Sequence, residues 1–358
     1  MTGILKVNNV QHSIDSQERE DCFNERRSYG CEESYKKNRR EWNENPAKHI
    51  VDRYPLHVDL ELSSCCNLKC PMCYTITDEF KSKTKSGYMD FEIFKKIVDE
   101  CAENDVYSIR LSLRGEPTLH KNFVDCIVYA KEKGIKEVST LTNGKRFVDR
   151  DFCERVIKAG IDWITVSIDG IGNNYEKIRS PLKFDEIVTA MRNIMELRQI
   201  HGNVKPAVKI QGIWPAVKKN INEYLEIFTP LSDLIYVNPL IDFSSLSEST
   251  SAEYIPDFTC YQPFQRLIIY SNGKAAPCAN DIVGEEHVGD AAVMSIYSIW
   301  NGERMNQFRN SHIEHTALSK YNICNNCQIP LSREDEEFDL NGRIIIIENY
   351  KGKANNSS

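Results

Sequence analysis

The stretch Cys66-Asn-Leu-Lys-Cys70-Pro-Met-Cys73 places three cysteines at C-x3-C-x2-C spacing in one short loop. The loop follows His57-Val-Asp-Leu-Glu-Leu62, a run that alternates in polarity as a strand does. Three thiolates can hold three irons of a [4Fe–4S] cluster, whose full ligation by protein takes four. The spacing therefore predicts a cluster at the end of a strand, with one iron open to a small molecule.

Zinc and disulfide bonds are the two other uses to weigh for these cysteines. A zinc knuckle usually pairs C-x2-C with a second pair of ligands, and no His or Cys follows Cys73 closely. Three thiols so near together are poor candidates for disulfides in a chain without a secretory signal. Spacing alone favours the cluster without excluding zinc.

Polar motifs follow the next strand-like runs along the chain. Leu113-Arg-Gly-Glu-Pro-Thr118 comes after the second run, Leu141-Thr-Asn-Gly144 after the third and Val166-Ser-Ile-Asp-Gly170 after the fourth. Arg179 lies further on, and Gln211 lies in the fifth run. Each motif alone is weak, since Asn-Gly and Asp-Gly are mainly turn formers. Their order after successive strands indicates one shared site.

The cysteine loop and these motifs together resemble the radical S-adenosylmethionine (SAM) superfamily. The resemblance implies that the open iron chelates the amino and carboxylate groups of SAM. An injected electron then releases a 5′-deoxyadenosyl radical, which abstracts hydrogen from a substrate C–H. The residues that it implies for the SAM site are Gly115, Glu116, Pro117, Asn143, Ser167, Asp169, Arg179 and Gln211.

The resemblance implies particular roles for four of these residues. Glu116 would accept a hydrogen bond from the SAM amino group, Arg179 would pair with the SAM carboxylate, and Gln211 would lie beside adenine. Gly115 would let the backbone approach SAM closely. One departure from the family pattern is Arg114, which stands where the motif usually has its first glycine and would either project into the site or face solvent.

Strand-like and helical patterns alternate from residue 58 onward, and six βα units predict a parallel sheet with right-handed crossovers. A doubly wound sheet fits this count as well as a barrel does. The motifs at strand ends favour a barrel, and the resemblance implies a partial (β/α)6 barrel of the TIM type. We expect strands at 58–62, 106–113, 137–141, 163–168, 207–213 and 234–239, and helices at 90–103, 122–133, 151–159, 184–200 and 220–228.

Four further cysteines form a second group: Cys260, Cys278, Cys324 and Cys327. Asn272-Gly273 is a strong hairpin signal, which would bring Cys278 near Cys260. Four thiolates suit structural zinc as well as an iron–sulfur cluster. The segment resembles the C-terminal SPASM domain of radical SAM enzymes, or its shortened form called twitch. The resemblance implies one fully ligated auxiliary [4Fe–4S] cluster.

The patterns divide the chain into an arm, a barrel and a smaller domain. We expect a polar, poorly packed arm over residues 1–50 that becomes helical near 33–45, followed by the barrel over 51–243. A linker rich in Ser and Glu would span 244–254 and the auxiliary cluster domain 255–335, with a frayed tail at 351–358.

Composition narrows the class of protein. Hydrophobic residues make up 41% and charged residues 27%, which is ordinary for a soluble globular protein. The net charge of −7 argues against nucleic acid as a partner. With no apolar run of about twenty residues and no apolar signal core near the start, we expect neither a membrane span nor secretion. The expected location is the cytoplasm.

A fully ligated auxiliary cluster suits electron transfer, so the first hypothesis is oxidation of a C–OH in a small polar substrate. The substrate would be a sugar, an aminocyclitol or a nucleotide sugar, since the chain resembles aminocyclitol dehydrogenases that carry a twitch domain. A reductase such as flavodoxin or ferredoxin would deliver the initiating electron.

Other hypotheses stay open at this stage. They are redox-neutral epimerisation or dehydration of a similar substrate, modification of a peptide, and a non-catalytic iron–sulfur or zinc protein. The sequence names no general base. Positional candidates for a catalytic side chain are Asp242, His120 and Arg114.

Overall fold

The computed structural model describes residues 12–240 and 253–350. Within them, no helix is long and apolar enough to cross a membrane. The strands are β1 His12–Ser13, β2 His57–Leu60, β3 Ser108–Arg110, β4 Glu137–Thr142, β5 Trp163–Ser167, β6 Ala207–Ile213, β7 Leu234–Asn238, β8 Arg266–Ile269, β9 Lys274–Ala276, β10 Gly289–Asp290, β11 Arg333–Leu340 and β12 Arg343–Tyr350. The helices are α1 Gln17–Ser28, α2 Glu32–Lys48, α3 Asp78–Lys83, α4 Phe91–Glu103, α5 Phe123–Glu132, α6 Arg150–Lys158, α7 Gly172–Ile178, α8 Phe184–Ile200, α9 Trp214–Val217, α10 Ile221–Phe228, α11 Ile296–Trp300, α12 Glu303–Ile313, α13 Ala317–Lys320 and α14 Asn322–Asn325.

Ten strands form one sheet in the order β1-β7-β6-β5-β4-β3-β2-β8-β9-β10. Strands β2 to β7 are parallel neighbours in chain order, and β8 lies parallel on the other side of β2. The sheet is open, because β1 pairs antiparallel with β7 at one edge while β9 and β10 extend the other edge. The six expected strands are present with the expected helices between them. The predicted partial barrel is therefore confirmed.

The two faces of the parallel strands differ in polarity. On β2, Val58 and Leu60 are fully buried in the main apolar core, which also contains Phe94 of α4. His57 and Asp59 point to the opposite, concave face, as alternate residues of a strand must, and lie 3.1 Å apart there. The apolar core thus lies between sheet and outer helices, and polar groups line the barrel interior.

The N-terminal helices close the end of the barrel at which β4 and β5 begin. Phe23 of α1 is buried beside Trp163, the first residue of β5. Arg27 donates two hydrogen bonds of 2.6 and 2.8 Å to Glu137, the first residue of β4. The expectation of a poorly packed arm is therefore wrong for residues 12–50, although the predicted helix at 33–45 lies within α2. Because the composition of this segment is polar, the sequence gives no signal for the few side chains that enter the barrel.

Two features of the C-terminal segment were not expected. Its first strand, β8, belongs to the barrel sheet rather than to a separate one. The β11–β12 hairpin packs on the barrel, with the Phe338 ring 5.1 Å from that of Trp214. The run Ile344–Ile347 carried a strand signal that the sequence reasoning did not use. The proposed linker, apart from its last two residues, and the tail at 351–358 lie outside the described residues.

Replacing Arg27 tests the contribution of the N-terminal helices to stability. Arg27→Met leaves the buried Glu137 carboxylate without its partner, which typically lowers the free energy of unfolding by about 3–5 kcal/mol. Urea unfolding followed by circular dichroism measures the change. The double variant Arg27→Met/Glu137→Leu should recover most of the loss, and Arg155→Met, at an exposed position of α6, should match wild type. Unchanged stability of the single variant would contradict the role of this ion pair.

Candidate active site

The three cysteines of the first group lie on a loop beyond the carboxyl end of β2. Cys66 is exposed, Cys73 is half-buried and Cys70 is buried. The Lys69 amide donates a 3.0 Å hydrogen bond to the Ser180 carbonyl, which ties the loop to the segment after α7. The loop thus remains accessible while its central part is anchored.

The surroundings of the loop keep the Cys70 thiol protonated until a metal binds. Burial raises the pKa of the Cys70 thiol. The Arg179 guanidinium opposes this effect at Cys70, where its Nη1 lies 3.8 Å from Sγ. Metal ligation requires thiolates, so the donor set fits a cluster whose irons displace the thiol protons.

Gly115 is required because the Gly-Glu-Pro turn after β3 touches the backbone that leads into the cysteine loop. The Glu116 amide donates a 2.7 Å hydrogen bond to the Cys65 carbonyl. A Cβ atom added at Gly115 would lie 2.3 Å from that oxygen and 2.5 Å from the Ser63 carbonyl oxygen. Both distances are far below van der Waals contact. The glycine therefore joins the expected SAM motif to the cluster loop.

Glu116 connects the Gly-Glu-Pro turn to the end of β4. Its buried carboxylate accepts hydrogen bonds from the Thr118 amide and hydroxyl, from the Thr142 hydroxyl and from the Asn143 amide, at 2.6 to 3.2 Å. Asn143 Nδ2 in turn donates to Asn67 Oδ1 in the cysteine loop, at 2.8 Å. The motifs after β2, β3 and β4 therefore converge, and Glu116 holds them in place.

The ends of β5 and β6 complete this edge of the sheet. Ser167 and Gln211 are register partners across the two strands. Asp169 Oδ2 accepts hydrogen bonds from Arg179 Nε at 2.6 Å and from Nη2 at 2.5 Å, and its Oδ1 accepts from the Ile213 amide at 2.8 Å. Arg179 thus pairs with Asp169 and reaches Cys70. All eight expected SAM residues follow the carboxyl ends of β3 to β6 or occupy them.

Arg114 is buried in an ion pair and does not face solvent. It donates to both carboxylate oxygens of Glu61, at 2.5 and 2.7 Å, and its Nη1 donates to the Ile282 carbonyl at 3.0 Å. These contacts tie the Gly-Glu-Pro turn to β2 and to the C-terminal segment. These contacts give Arg114 a structural role, and they do not support a catalytic role.

His120 is also occupied by backbone groups. Its Nε2 lies 2.8 Å from the Met89 carbonyl oxygen and donates to it, while Nδ1 accepts from the Asn122 amide at 3.2 Å. Neither nitrogen is left for a substrate proton, so the structure does not favour His120 as the general base. The third candidate, Asp242, lies outside the described residues.

The second cysteine group surrounds an apolar pocket. Cys260, Cys278 and Cys324 are buried and Cys327 is half-buried. The side chains that share the pocket include Phe258, Phe308, Leu318, Ile323 and Ile329. The expected hairpin is present: β8 pairs with β9, and Gly273 takes the left-handed φ of 84° that the turn requires. All four cysteines therefore line one pocket.

Several N–H groups are directed at these sulfurs. The Asn280 amide donates to Cys278 Sγ at 3.3 Å and its side-chain Nδ2 donates to Cys327 Sγ at 3.2 Å. Nε2 of His312 lies 3.7 Å from Cys324 Sγ, and burial lowers the pKa of this histidine to about 4. N–H donors stabilise thiolate sulfur, so the arrangement fits an iron–sulfur cluster. Sequence reasoning missed Asn280 and His312, because neither has a diagnostic spacing from the cysteines.

Two family models match the parts of the chain that carry the two cysteine groups. Residues 60–205 match the model of the radical SAM superfamily. The chain therefore contains a radical SAM domain. Residues 260–328 match the SPASM model, an iron–sulfur cluster-binding domain. These two domains imply SAM, the [4Fe–4S] cluster that binds it and an auxiliary iron–sulfur cluster as cofactors.

Curated relatives match about half of the chain. It is 28% identical over 170 residues to Fe-coproporphyrin III synthase of Methanosarcina barkeri, which covers 47% of this chain and 39% of the relative. It is 28% identical over 165 residues to GTP 3′,8-cyclase of Vibrio vulnificus, covering 44% of this chain and 48% of the relative. The matches thus span less than half the length of these relatives.

Solved structures share the fold over more of the chain. BtrN in complex with AdoMet and 2-DOIA superposes with a TM-score of 0.56 at 19% identity, over 78% of this chain and 94% of BtrN. Streptococcus suis SuiB bound to S-adenosylmethionine superposes with a TM-score of 0.55 at 14% identity, over 83% of this chain and 78% of SuiB. At these identities the likeness establishes the fold.

Iron content distinguishes the two cluster sites. The protein reconstituted anaerobically should hold about eight irons, and the triple variant Cys66→Ala/Cys70→Ala/Cys73→Ala should hold about four. Iron, acid-labile sulfide and zinc are measured on the same samples. A wild type with about four irons and one zinc would show that the C-terminal cysteines bind zinc instead.

The contact at Gly115 predicts a selective loss of the SAM-binding cluster. Gly115→Ala should lose about half of the iron and the binding of SAM, because its Cβ would push the Cys65 backbone aside. Gly87→Ala is the matched control, since its Cβ would meet no atom within 4 Å. Iron content and SAM binding are compared by colorimetric assay and equilibrium dialysis. Full iron in Gly115→Ala would refute the importance of this contact.

Proposed function

We propose that this radical SAM enzyme oxidises an alcohol group of a small polar metabolite, and that its auxiliary cluster accepts the electron released. The substrate class is a sugar, an aminocyclitol or a nucleotide sugar. When bound, SAM and its cluster supply a 5′-deoxyadenosyl radical, which removes the hydrogen atom from the carbon that bears the hydroxyl. The hydroxyl proton would pass to a base or to water, and Cys260, Cys278, Cys324 and Cys327 would hold a cluster able to take the remaining electron, which would leave a carbonyl group on the substrate.

The composition of the C-terminal site carries this proposal. It offers four thiols, enough to ligate all four irons of one cubane cluster. A fully ligated cluster has no open iron for a substrate and is suited to electron transfer. The fold likeness to BtrN, which was solved with AdoMet and 2-DOIA, covers 94% of that chain and supports the same reading.

The residues around the cysteine loop have the tasks of holding SAM and orienting its cluster. We assign Gly115, Glu116 and Pro117 to the backbone frame beside the SAM amino group, and Ser167 and Gln211 to the ribose and adenine side. Because Arg179 is paired with Asp169 and contacts Cys70, its charge stabilises the thiolate as well as any carboxylate that binds there.

The proposal includes an external electron donor. A flavodoxin- or ferredoxin-type reductase would reach the cluster loop on its exposed side, where Cys66 is accessible. Thirteen cysteines with two cluster sites suit a reducing compartment, so we place the protein in the cytoplasm.

Peptide modification is the second candidate. It is favoured by the fold likeness to SuiB, one structure of which contains the precursor peptide SuiA and superposes with a TM-score of 0.51. The C-terminal site has the four cysteines of a single auxiliary cluster, and this set favours the small-molecule reaction over peptide modification.

Product analysis decides between these candidates. The reconstituted enzyme is incubated with SAM, dithionite and a panel of sugars, aminocyclitols, nucleotide sugars and peptides, and 5′-deoxyadenosine and products are followed by mass spectrometry. Loss of two hydrogens from a small substrate supports oxidation. Unchanged mass or loss of water would instead indicate epimerisation or dehydration, and turnover of peptides alone would overturn the small-molecule proposal.

Removal of an auxiliary ligand should separate the two half-reactions. Cys278→Ala should still form 5′-deoxyadenosine, whereas the oxidised product should fall to background because the substrate electron has no acceptor. Cys126→Ala, a buried cysteine on α5 outside both sites, should retain both products. Undiminished oxidised product from Cys278→Ala would refute the electron-acceptor role.

A further inference from the structure

Charged side chains converge inside the barrel. Arg110 at the end of β3, Asp59 on β2 and Arg266 at the start of β8 all point to the concave face. We call Arg110 and Arg266 the lumen arginine pair. Arg110 Nη2 donates to Asp59 Oδ1 at 2.7 Å, and Arg266 Nη1 donates to Asp59 Oδ2 at 3.2 Å. Two guanidinium groups therefore share one carboxylate.

The hydrogen-bonding capacity of this pair is not used up. The Nε atoms of Arg110 and Arg266 are buried and have no hydrogen-bond partner among the described residues. A buried N–H without an acceptor costs free energy. An acceptor that entered the barrel interior would remove this cost, and an anion would do so best because a charge-assisted hydrogen bond is stronger.

The surroundings of the pair carry a surplus of positive charge. Glu137, the nearest inward-facing carboxylate at the closed end, is already paired with Arg27. Burial, together with Arg27 and Arg110, lowers the pKa of Lys209 on β6 to about 7. Burial and the neighbouring Arg266 lower the pKa of Arg110, and Asp59 acts in the opposite direction. The lumen arginine pair thus shares the single carboxylate of Asp59, and a negative ligand would give the two guanidinium groups a second partner.

The space is open to solvent on its concave side. The Arg110 side chain is 26% exposed although its strand lies in the middle of the sheet. Leu141, Gln211 and Tyr236, which also face inward, are only half-buried. A ligand that enters from the carboxyl edge of the strands can therefore reach Arg110.

Both cysteine groups flank the strands that surround the pair. The Cys66–Cys73 loop follows β2, which carries Asp59, and Cys260 precedes β8, which begins at Arg266 and pairs with β2. A substrate anchored at the pair would therefore lie beside the strands that lead to both cysteine groups.

We propose that the substrate carries an anionic oxygen group, with phosphate as the best fit, and that Arg110 and Arg266 bind this group in the barrel interior. The inference rests on the proposed function and narrows its substrate class to phosphorylated sugars and nucleotide sugars. A guanidinium forms paired hydrogen bonds with phosphate oxygens, whereas two guanidinium groups repel the ammonium groups of an aminocyclitol.

Binding of pyrophosphate to the reconstituted enzyme saturated with SAM tests the pair directly. Calorimetry should show one site in wild type. Arg110→Gln and Arg266→Gln should each weaken binding about tenfold or more, while Arg155→Gln, an exposed arginine on α6, should leave it unchanged. No saturable binding, equal binding in all variants, or competition between pyrophosphate and SAM would overturn the inference.

Iron content and thermal midpoint would reveal a variant that fails to fold. A comparison of ligands on the wild-type enzyme tests the inference without any variant. Glucose 6-phosphate, glucuronate, glucose and a deoxyaminocyclitol are compared as stimulators of 5′-deoxyadenosine formation and as ligands. Preference for glucose 6-phosphate supports phosphate, and preference for glucuronate assigns a carboxylate to the same pair. Equal or better binding of the neutral sugar or the aminocyclitol refutes the inference.

The same assay separates this inference from the dehydrogenase proposal. A phosphorylated substrate that binds through the arginine pair but gives an isomer, rather than a carbonyl product, would refute the oxidation and leave the anion site intact. A neutral substrate that is oxidised would support the dehydrogenase proposal and refute the anion site.

Discussion

A single buried carboxylate, Glu61, joins the three segments on which both cluster sites depend. It lies just past the end of β2, accepts two hydrogen bonds from Arg114 of the Gly-Glu-Pro turn, and accepts a third from the Ser271 amide in the β8–β9 hairpin. Arg114 then reaches the Ile282 carbonyl and stacks 4.1 Å above the Tyr270 ring. Because an ion pair with no access to water tolerates little displacement, the SAM motif and the auxiliary domain hold one relative position.

This constraint explains why the family's usual glycine is replaced by arginine without loss of the turn. The small residue that the turn needs is Gly115, whose backbone lies against Cys65. The neighbouring position is turned towards Glu61 and has room for a long side chain between the rings of Phe80 and Tyr270. The turn therefore approaches the cluster loop through Gly115 and binds the C-terminal domain through Arg114.

The polar interior of the barrel follows from the same alternation that buries its outer face. Residues such as Val58 and Leu60 pack under the helices, so their neighbours His57 and Asp59 must face inward. Helix α1 closes one end with Phe23 and Arg27, which leaves access from the carboxyl edge where SAM and substrate are expected. The interior is therefore polar, charged and accessible from one side, as a site for a small polar substrate requires.

Local patterns in the sequence determined the cysteine spacing, the six βα units and the Gly-Glu-Pro turn, because each depends on residues close together in the chain. The hairpin before Cys278 was predictable for the same reason. Tertiary structure alone decided the pairing of Arg179 with Asp169, the burial of Arg114 and His120, and the positions of Asn280 and His312 beside the cysteine sulfurs. It also brought Arg110 and Arg266 together, 156 residues apart along the chain but both bound to Asp59. Such contacts join distant strands, and no local periodicity encodes which side chains meet across a barrel.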